Sequence, residues 1–280
     1  LEWRAFVKIE AQVLATCAFF DPITPTEREN IMKRKILLTG AAGRIGTFLT
    51  NQWKETYDLH LTDVRTPQET FGFPFTEANV ADYAALAALC QGVDTVVHMG
   101  ADPRMEAPWE SLLPNNVIGT YNAFEAAHQA GCRRIIFASS INAVFGYPAE
   151  VQVNTTMPVY PINLYGATKC WGEALARYYS HTHGLSAICL RFGAVSQRPG
   201  NPAFDNRYSL DHEYIDIVIT MEDLTQLVTK SIEAPDELDF GVYQGVSNNR
   251  WKRLDITNAR DEIGYAPEDD AIAFARQKSG

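Results

Sequence analysis

Tyr165-Gly166-Ala167-Thr168-Lys169 sets a phenol and an ammonium group four residues apart. On a helix that spacing puts both side chains on one face, where they can reach a common ligand. Free tyrosine ionises near pH ~10, too high for a base at neutral pH. A neighbouring cation favours the phenolate, and Tyr165 could then remove a proton from a hydroxyl group. Such a pair also arises by chance, so its weight depends on what accompanies it. Ser139-Ser140, about 25 residues earlier, closes a β-rich run.

A second constellation lies near the start of the ordered pattern. Thr39-Gly40-Ala41-Ala42-Gly43-Arg44-Ile45-Gly46 follows an apolar run and opens a helical one. Gly40 permits a sharp turn, Gly43 leaves room for a pyrophosphate against the backbone, and Gly46 lets helix and strand pack closely. With Arg44 and Ile45, these residues form the first helical turn, whose amides and positive dipole end suit phosphate. Asp63 ends the next apolar run about 20 residues on, where an acid accepts both hydroxyls of an adenosine ribose. Its charge repels a 2′-phosphate, so NAD is expected over NADP. Arg65, two residues further, would soften that preference. An oxidised nicotinamide would favour the Tyr165 phenolate and accept hydride from the carbon whose hydroxyl loses its proton.

These residues need a frame. Strand patterns fall at 35–39, 57–62, 95–99, 134–139 and 186–192, with helical patterns at 44–55, 83–90, 116–130 and 164–181 between them. Within 116–130, Val117, Tyr121, Phe124 and Ala127 make one apolar face, and Gly131 suits the left-handed helix end. The nearly all-apolar strands expect helices on both faces. The alternation predicts an α/β, Rossmann-type doubly wound parallel sheet. Residues 193–215 read as a long loop, followed by helix, strand and helix at 221–233, 241–246 and 255–263. Three divisions are expected: an N-terminal extension over 1–31, a dinucleotide-binding domain over 32–192, and a small substrate-binding C-terminal portion over 193–280.

Taken in order, the glycine loop, ribose acid, Ser140 and the Tyr165–Lys169 pair resemble the extended short-chain dehydrogenases. That group also holds nucleotide-sugar epimerases and dehydratases, and the likeness runs over about 36–265. It implies that Ser140 bonds the reacting oxygen, Tyr165 is the acid/base and Lys169 holds the nicotinamide ribose. It further implies that Asn79 and Val80 flank the adenine, that Met99, Gly100 and Ala101 line the cofactor, and that Phe192 lies near the nicotinamide. Asn116 matches the family's helix asparagine, linked to the lysine through water, and Arg191 is implied to be structural. A homo-oligomer built on the helices over 116–130 and 164–181 is also implied.

The loop Gly100-Ala101-Asp102-Pro103-Arg104-Met105-Glu106-Ala107-Pro108-Trp109 is similar to that of uronate dehydrogenases and related aldose or sugar-phosphate dehydrogenases, and Phe137-Ala138-Ser139-Ser140 and Gly146-Tyr147-Pro148 fit the same branch. Those enzymes commonly place asparagine directly after the second serine, whereas here Ile141 precedes Asn142. Asp102, Ser140 and Asn142 are thus candidate substrate residues. Arg207 is the first candidate anion clamp, with a solvated loop arginine as the equal alternative. Arg104 is the second, with an ion pair to Glu106 as its alternative.

Three activities compete: oxidation of a sugar's anomeric hydroxyl to a lactone, epimerase or dehydratase chemistry that returns the hydride, and non-catalytic dinucleotide sensing. The intact Ser140, Tyr165 and Lys169 disfavour the last. Counting from Met32 leaves roughly 250 residues, short for a fold that must also enclose a nucleotide-sugar.

Composition narrows the rest. A net charge of -10 disfavours nucleic acid or an anionic membrane as partner, and no apolar run approaches the ~20 residues of a membrane span. The five cysteines form no metal-like cluster and read as reduced thiols, hence the expected cytoplasmic location and absence of a metal.

Overall fold

The computed structural model describes residues 33–199 and 213–278. The chain divides into one unit over Leu1–Lys33 and another over Arg34–Gly280. Every element below belongs to the second unit, so the expected extension over 1–31 lies outside the described residues.

The first strands and helices follow the sequence pattern closely: β1 Lys35–Thr39, α1 Arg44–Trp53, β2 Asp58–Asp63, α2 Tyr83–Leu89 and β4 Thr95–His98. A short strand that periodicity does not announce, β3 Phe75–Glu77, pairs with β2. The helix expected over 116–130 begins earlier. It runs as α3 Trp109–Leu112, a π-helical turn Leu113–Ile118 and α4 Gly119–Gln129. Pro114 stands at the start of the wide turn, which accommodates a residue with no amide to donate. Then come β5 Arg134–Ser140, α5 Leu164–His183 and β6 Ser186–Phe192. The Asn163 side chain caps the start of α5, and Gly184 closes its end at φ 70°.

Of the loop expected over 193–215, residues 200–212 lie outside the described residues, and its start holds a short strand. β7 Ala194–Ser196 pairs in parallel with β8 Val218–Thr220 as a separate two-stranded sheet. α6 Met221–Ile232, β9 Phe240–Gly245, α7 Thr257–Ile263 and α8 Ala271–Lys278 complete the described chain. β9 pairs with β6, so the main sheet takes its last strand from the segment assigned above to the C-terminal portion.

All pairings in the main sheet are parallel, in the order β3-β2-β1-β4-β5-β6-β9. Its side chains alternate between two cores, as a two-residue period requires. Ile36 and Leu38 of β1 pack with Trp53 of α1 and Leu224 and Leu227 of α6. Leu37 packs on the other face with Leu86 of α2, Phe124 of α4 and Leu175 of α5. Burying both faces explains why these strands are almost entirely apolar.

Candidate active site

The strand order turns back between β1 and β4, and clefts form at such points beyond the carboxyl ends of the strands. A cleft of about 1320 Å³ lies there. Thr39, Asp63, His98, Ser140 and Phe192 are the last residues of β1, β2, β4, β5 and β6. Parallel register sets Thr39 level with His98 and Ser140 level with Phe192.

Most sequence candidates line this cleft. Gly40, Gly43, Arg44, Ile45 and Gly46 meet it from the first turn, with Asp63 and Val80 beside them. Met99, Gly100, Ala101 and Asp102 approach from the β4 end, and Ser140, Asn142, Tyr165, Lys169 and Phe192 from the other side. Asn79 and Arg104 do not line it, nor does Asn116, and Arg207 lies outside the described residues.

The glycine loop has the shape a dinucleotide needs. Gly40 sits at φ 71°, and a Cβ there would stand 2.8 Å from the Gly100 nitrogen. A Cβ on Gly46 would collide with the Gly40 carbonyl. Gly43 is the N-cap of α1 and offers no side chain to cap the helix, leaving its first turn facing the cleft. Asp63 is braced beside this turn, its carboxylate accepting the Ala42 amide at 3.0 Å and the Arg65 amide at 3.2 Å. Arg44 donates to the Val195 carbonyl at 2.7 Å, tying the loop to β7.

Tyr165 and Lys169 are both buried on the inner face of α5. Lys169 Nζ donates to the Ala138 carbonyl at 2.9 Å and lies 5.4 Å from the centre of the Tyr165 ring. Burial pushes the phenol up to about 12, while a hydrogen bond with Ser140 works against that rise. Burial alone brings the ammonium down to about 8. Each group is thus drawn toward its neutral form before a ligand binds, and the one influence that lowers the phenol comes from Ser140 rather than from Lys169 as expected. His98, not anticipated from the sequence, lies behind the lysine. Burial, then Lys169, holds its ring down to about 3, and its Nδ1 bonds the Thr39 hydroxyl at 2.9 Å.

Three candidates make contacts that spacing does not announce. Asn79 is exposed, and its Oδ1 accepts the Ala81 amide at 2.9 Å to close the turn before α2; Ala78 lines the cleft instead. Asn116 clamps the Asp102 backbone, accepting its amide at 2.8 Å and donating to its carbonyl at 3.1 Å, and also donates to Thr168 at 3.2 Å. Arg104 pairs with Asp102 rather than Glu106, through Nε at 3.0 Å and Nη2 at 2.6 Å. The Asp102 carboxylate also accepts from the Arg104 amide and the Ser111 hydroxyl. The Arg104 side chain beside it holds that carboxyl well below the usual range.

Behind the site, Arg191 makes a buried two-pronged ion pair with Glu173, both bonds at 2.8 Å. Glu173 also accepts from Ser139 at 2.6 Å, which locks the ends of β5 and β6 to α5. Phe145 and Tyr214 face the cleft as an aromatic pair 5.7 Å apart. Neither belongs to a periodic run, so periodicity does not single them out. Tyr214 had one signal, its place at the end of a long loop. Among the described residues no cluster suited to a metal ion occurs, and no helix is long and apolar enough to cross a membrane.

Comparison with known proteins adds independent findings. Residues 36–207 match the model of the NAD dependent epimerase/dehydratase family. The chain is 32% identical over 261 residues to NAD-dependent glucose-6-phosphate dehydrogenase of Haloferax volcanii, an alignment covering 87% of this chain and 96% of the relative. It is 31% identical over 244 residues to uronate dehydrogenase of Pseudomonas putida, covering 86% of each. Among solved structures, a mutant uronate dehydrogenase from Agrobacterium tumefaciens complexed with NAD superposes with a TM-score of 0.77 at 31% identity. That match covers 88% of this chain and 89% of the other.

Proposed function

Because the chain belongs to the NAD dependent epimerase/dehydratase family, we propose that it is an NAD-dependent dehydrogenase. It oxidises the anomeric hydroxyl of a small sugar, a hexuronate, aldose or sugar phosphate, to a lactone. The observation that carries this reading is the meeting of Ser140, Tyr165 and Lys169 with the glycine loop and Asp63 in one cleft. Relatives named as sugar dehydrogenases, matched over most of their length, support the substrate class.

Gly40, Gly43 and Gly46 with the first turn of α1 would hold the pyrophosphate, and Asp63 the adenosine ribose. Lys169 would hold the second ribose. NAD, when bound, supplies the hydride acceptor and a positive ring that favours phenolate. Ser140 bonds the anomeric oxygen and Tyr165 removes its proton. The reacting carbon already carries the ring oxygen, whose lone pair assists hydride loss and yields the ester directly. Nothing obliges the hydride to return.

The deciding experiment supplies hexuronates, neutral aldoses and hexose phosphates with NAD and follows NADH and lactone together. One NADH for each sugar consumed is expected. Conversion of a nucleotide-sugar without net NADH would instead establish the epimerase reading.

A further inference from the structure

Ser140 stands at the end of a hydrogen-bond chain whose direction is fixed from the other end. The Gly166 amide, directly after Tyr165, can only donate, and it donates to Asn163 Oδ1 at 2.7 Å. That leaves Asn163 its Nδ2, which donates to Asn142 Oδ1 at 2.9 Å. Asn142 must then present its own Nδ2 to Ser140 Oγ, at 3.2 Å, while its main-chain amide donates to the same oxygen at 3.1 Å. A hydroxyl oxygen has two acceptor sites, and both are now occupied.

We propose that Asn163 and Asn142 are positioning residues that force Ser140 to act as a hydrogen-bond donor toward the oxygen of Tyr165 and of the substrate. Asn142, expected from the sequence to meet the substrate, thus works through Ser140.

The packing supports a dedicated contact. Asn142 and Ser140 are buried, and a Cβ at Gly166 would collide with the Asn142 carbonyl. Glycine after the tyrosine lets the serine loop touch the catalytic helix. The chain therefore couples the N-cap of α5 to the donor that stabilises negative charge on the reacting oxygen. A serine free to rotate would accept as readily as donate, and its help to the phenolate would be lost.

Asn163→Asp tests this, because aspartate still caps the helix but cannot donate. Asn142 would turn its amide to the new carboxylate and its oxygen to Ser140, reversing the serine. The test rests on the dehydrogenase reading for its kinetic arm alone. Loss of one preorganised donor costs about 10²–10³ in turnover, so kcat should fall at least about tenfold with KM nearly unchanged. The rise of activity with pH should move to higher pH. In a Ser140→Ala background the same substitution should change kcat by less than about twofold, since coupled residues are not additive.

A cofactor-free arm uses protein labelled with ¹³C at tyrosine Cζ, the Tyr165 signal being assigned by its loss in Tyr165→Phe. Asn163→Asp should shift that signal. Asn163→Gly, which suits the N-cap but offers Asn142 Oδ1 no donor, serves if the aspartate variant is unstable. An unmoved signal overturns the proposal, as does an equal kinetic loss with and without Ser140. If wild type oxidises no sugar, the dehydrogenase reading fails and the resonance alone judges the chain.

Discussion

The Arg104 guanidinium closes on the Asp102 carboxylate with a shortest contact of 2.6 Å, and the acid is buried while the arginine is largely exposed. The pair shapes the loop beside the cleft, so the arginine's charge is already matched. Arg104→Ala should therefore raise KM for charged and neutral sugars alike. Arg207, which the sequence nominates as the anion clamp, predicts the opposite pattern. A hydrogen-bonded charge contributes about 1.5–3 kcal/mol, so Arg207→Ala should raise KM by roughly ten- to a hundredfold for charged sugars and little for neutral ones. Equal losses in both classes would remove Arg207 from that role.

Lys169 links the site to stability. Its pKa falls from 10.5 to about 8 on burial. The unfolded chain keeps this proton up to about pH 10.5 and the folded one releases it near 8. Unfolding therefore takes up a proton across that window, and stability rises with pH there. Below it the buried cation costs about 3 kcal/mol at 1.36 kcal/mol per pKa unit. Lys169→Met should resist urea better than wild type at pH 7 and lose that advantage by about pH 10, while NADH formation collapses. The lost bond to Ala138 offsets part of the gain. Urea midpoints at both pH values check this, and a variant weaker than wild type at pH 7 contradicts it.

Tyr165→Phe keeps the ring in place and removes only its oxygen. General acid–base groups typically contribute about 10²–10⁴-fold, so kcat should fall within that range while NAD still binds. In wild type the buried phenol must ionise from a raised pKa, so activity should climb as pH rises from neutral. Full activity in a folded Tyr165→Phe protein would point to another base.

Asp63 stands against the glycine loop through the Ala42 amide. Wild type should use NAD far better than NADP, and Asp63→Ala should narrow the gap by removing the repulsion of a 2′-phosphate. The ratio of kcat/KM for the two cofactors measures it. Equal efficiency in wild type sinks the assignment.

Local spacing was enough to reveal much of this protein. The four-residue spacing of Tyr165 and Lys169 fixes a shared helical face, and alternation along β1 assigns Ile36 and Leu38 to one core and Leu37 to the other. Glycines between a strand and a helix mark the phosphate turn, because only backbone fits where Gly40 meets Gly100. Partner choice was not legible. Arg104 has acids two residues away on either side, and it takes Asp102, which Asn116 and Ser111 hold from 14 and 9 residues further along the chain. Asn142 and Asn163 are 21 residues apart and meet because β5 and α5 pack together. The three-residue strands β7 and β8 are too short to show a period and exist only through each other. Sequence periodicity records which face of an element is buried, and hence the fold. Which polar groups then satisfy one another depends on distances that only the packed chain sets, and those contacts decide which way Ser140 points its proton.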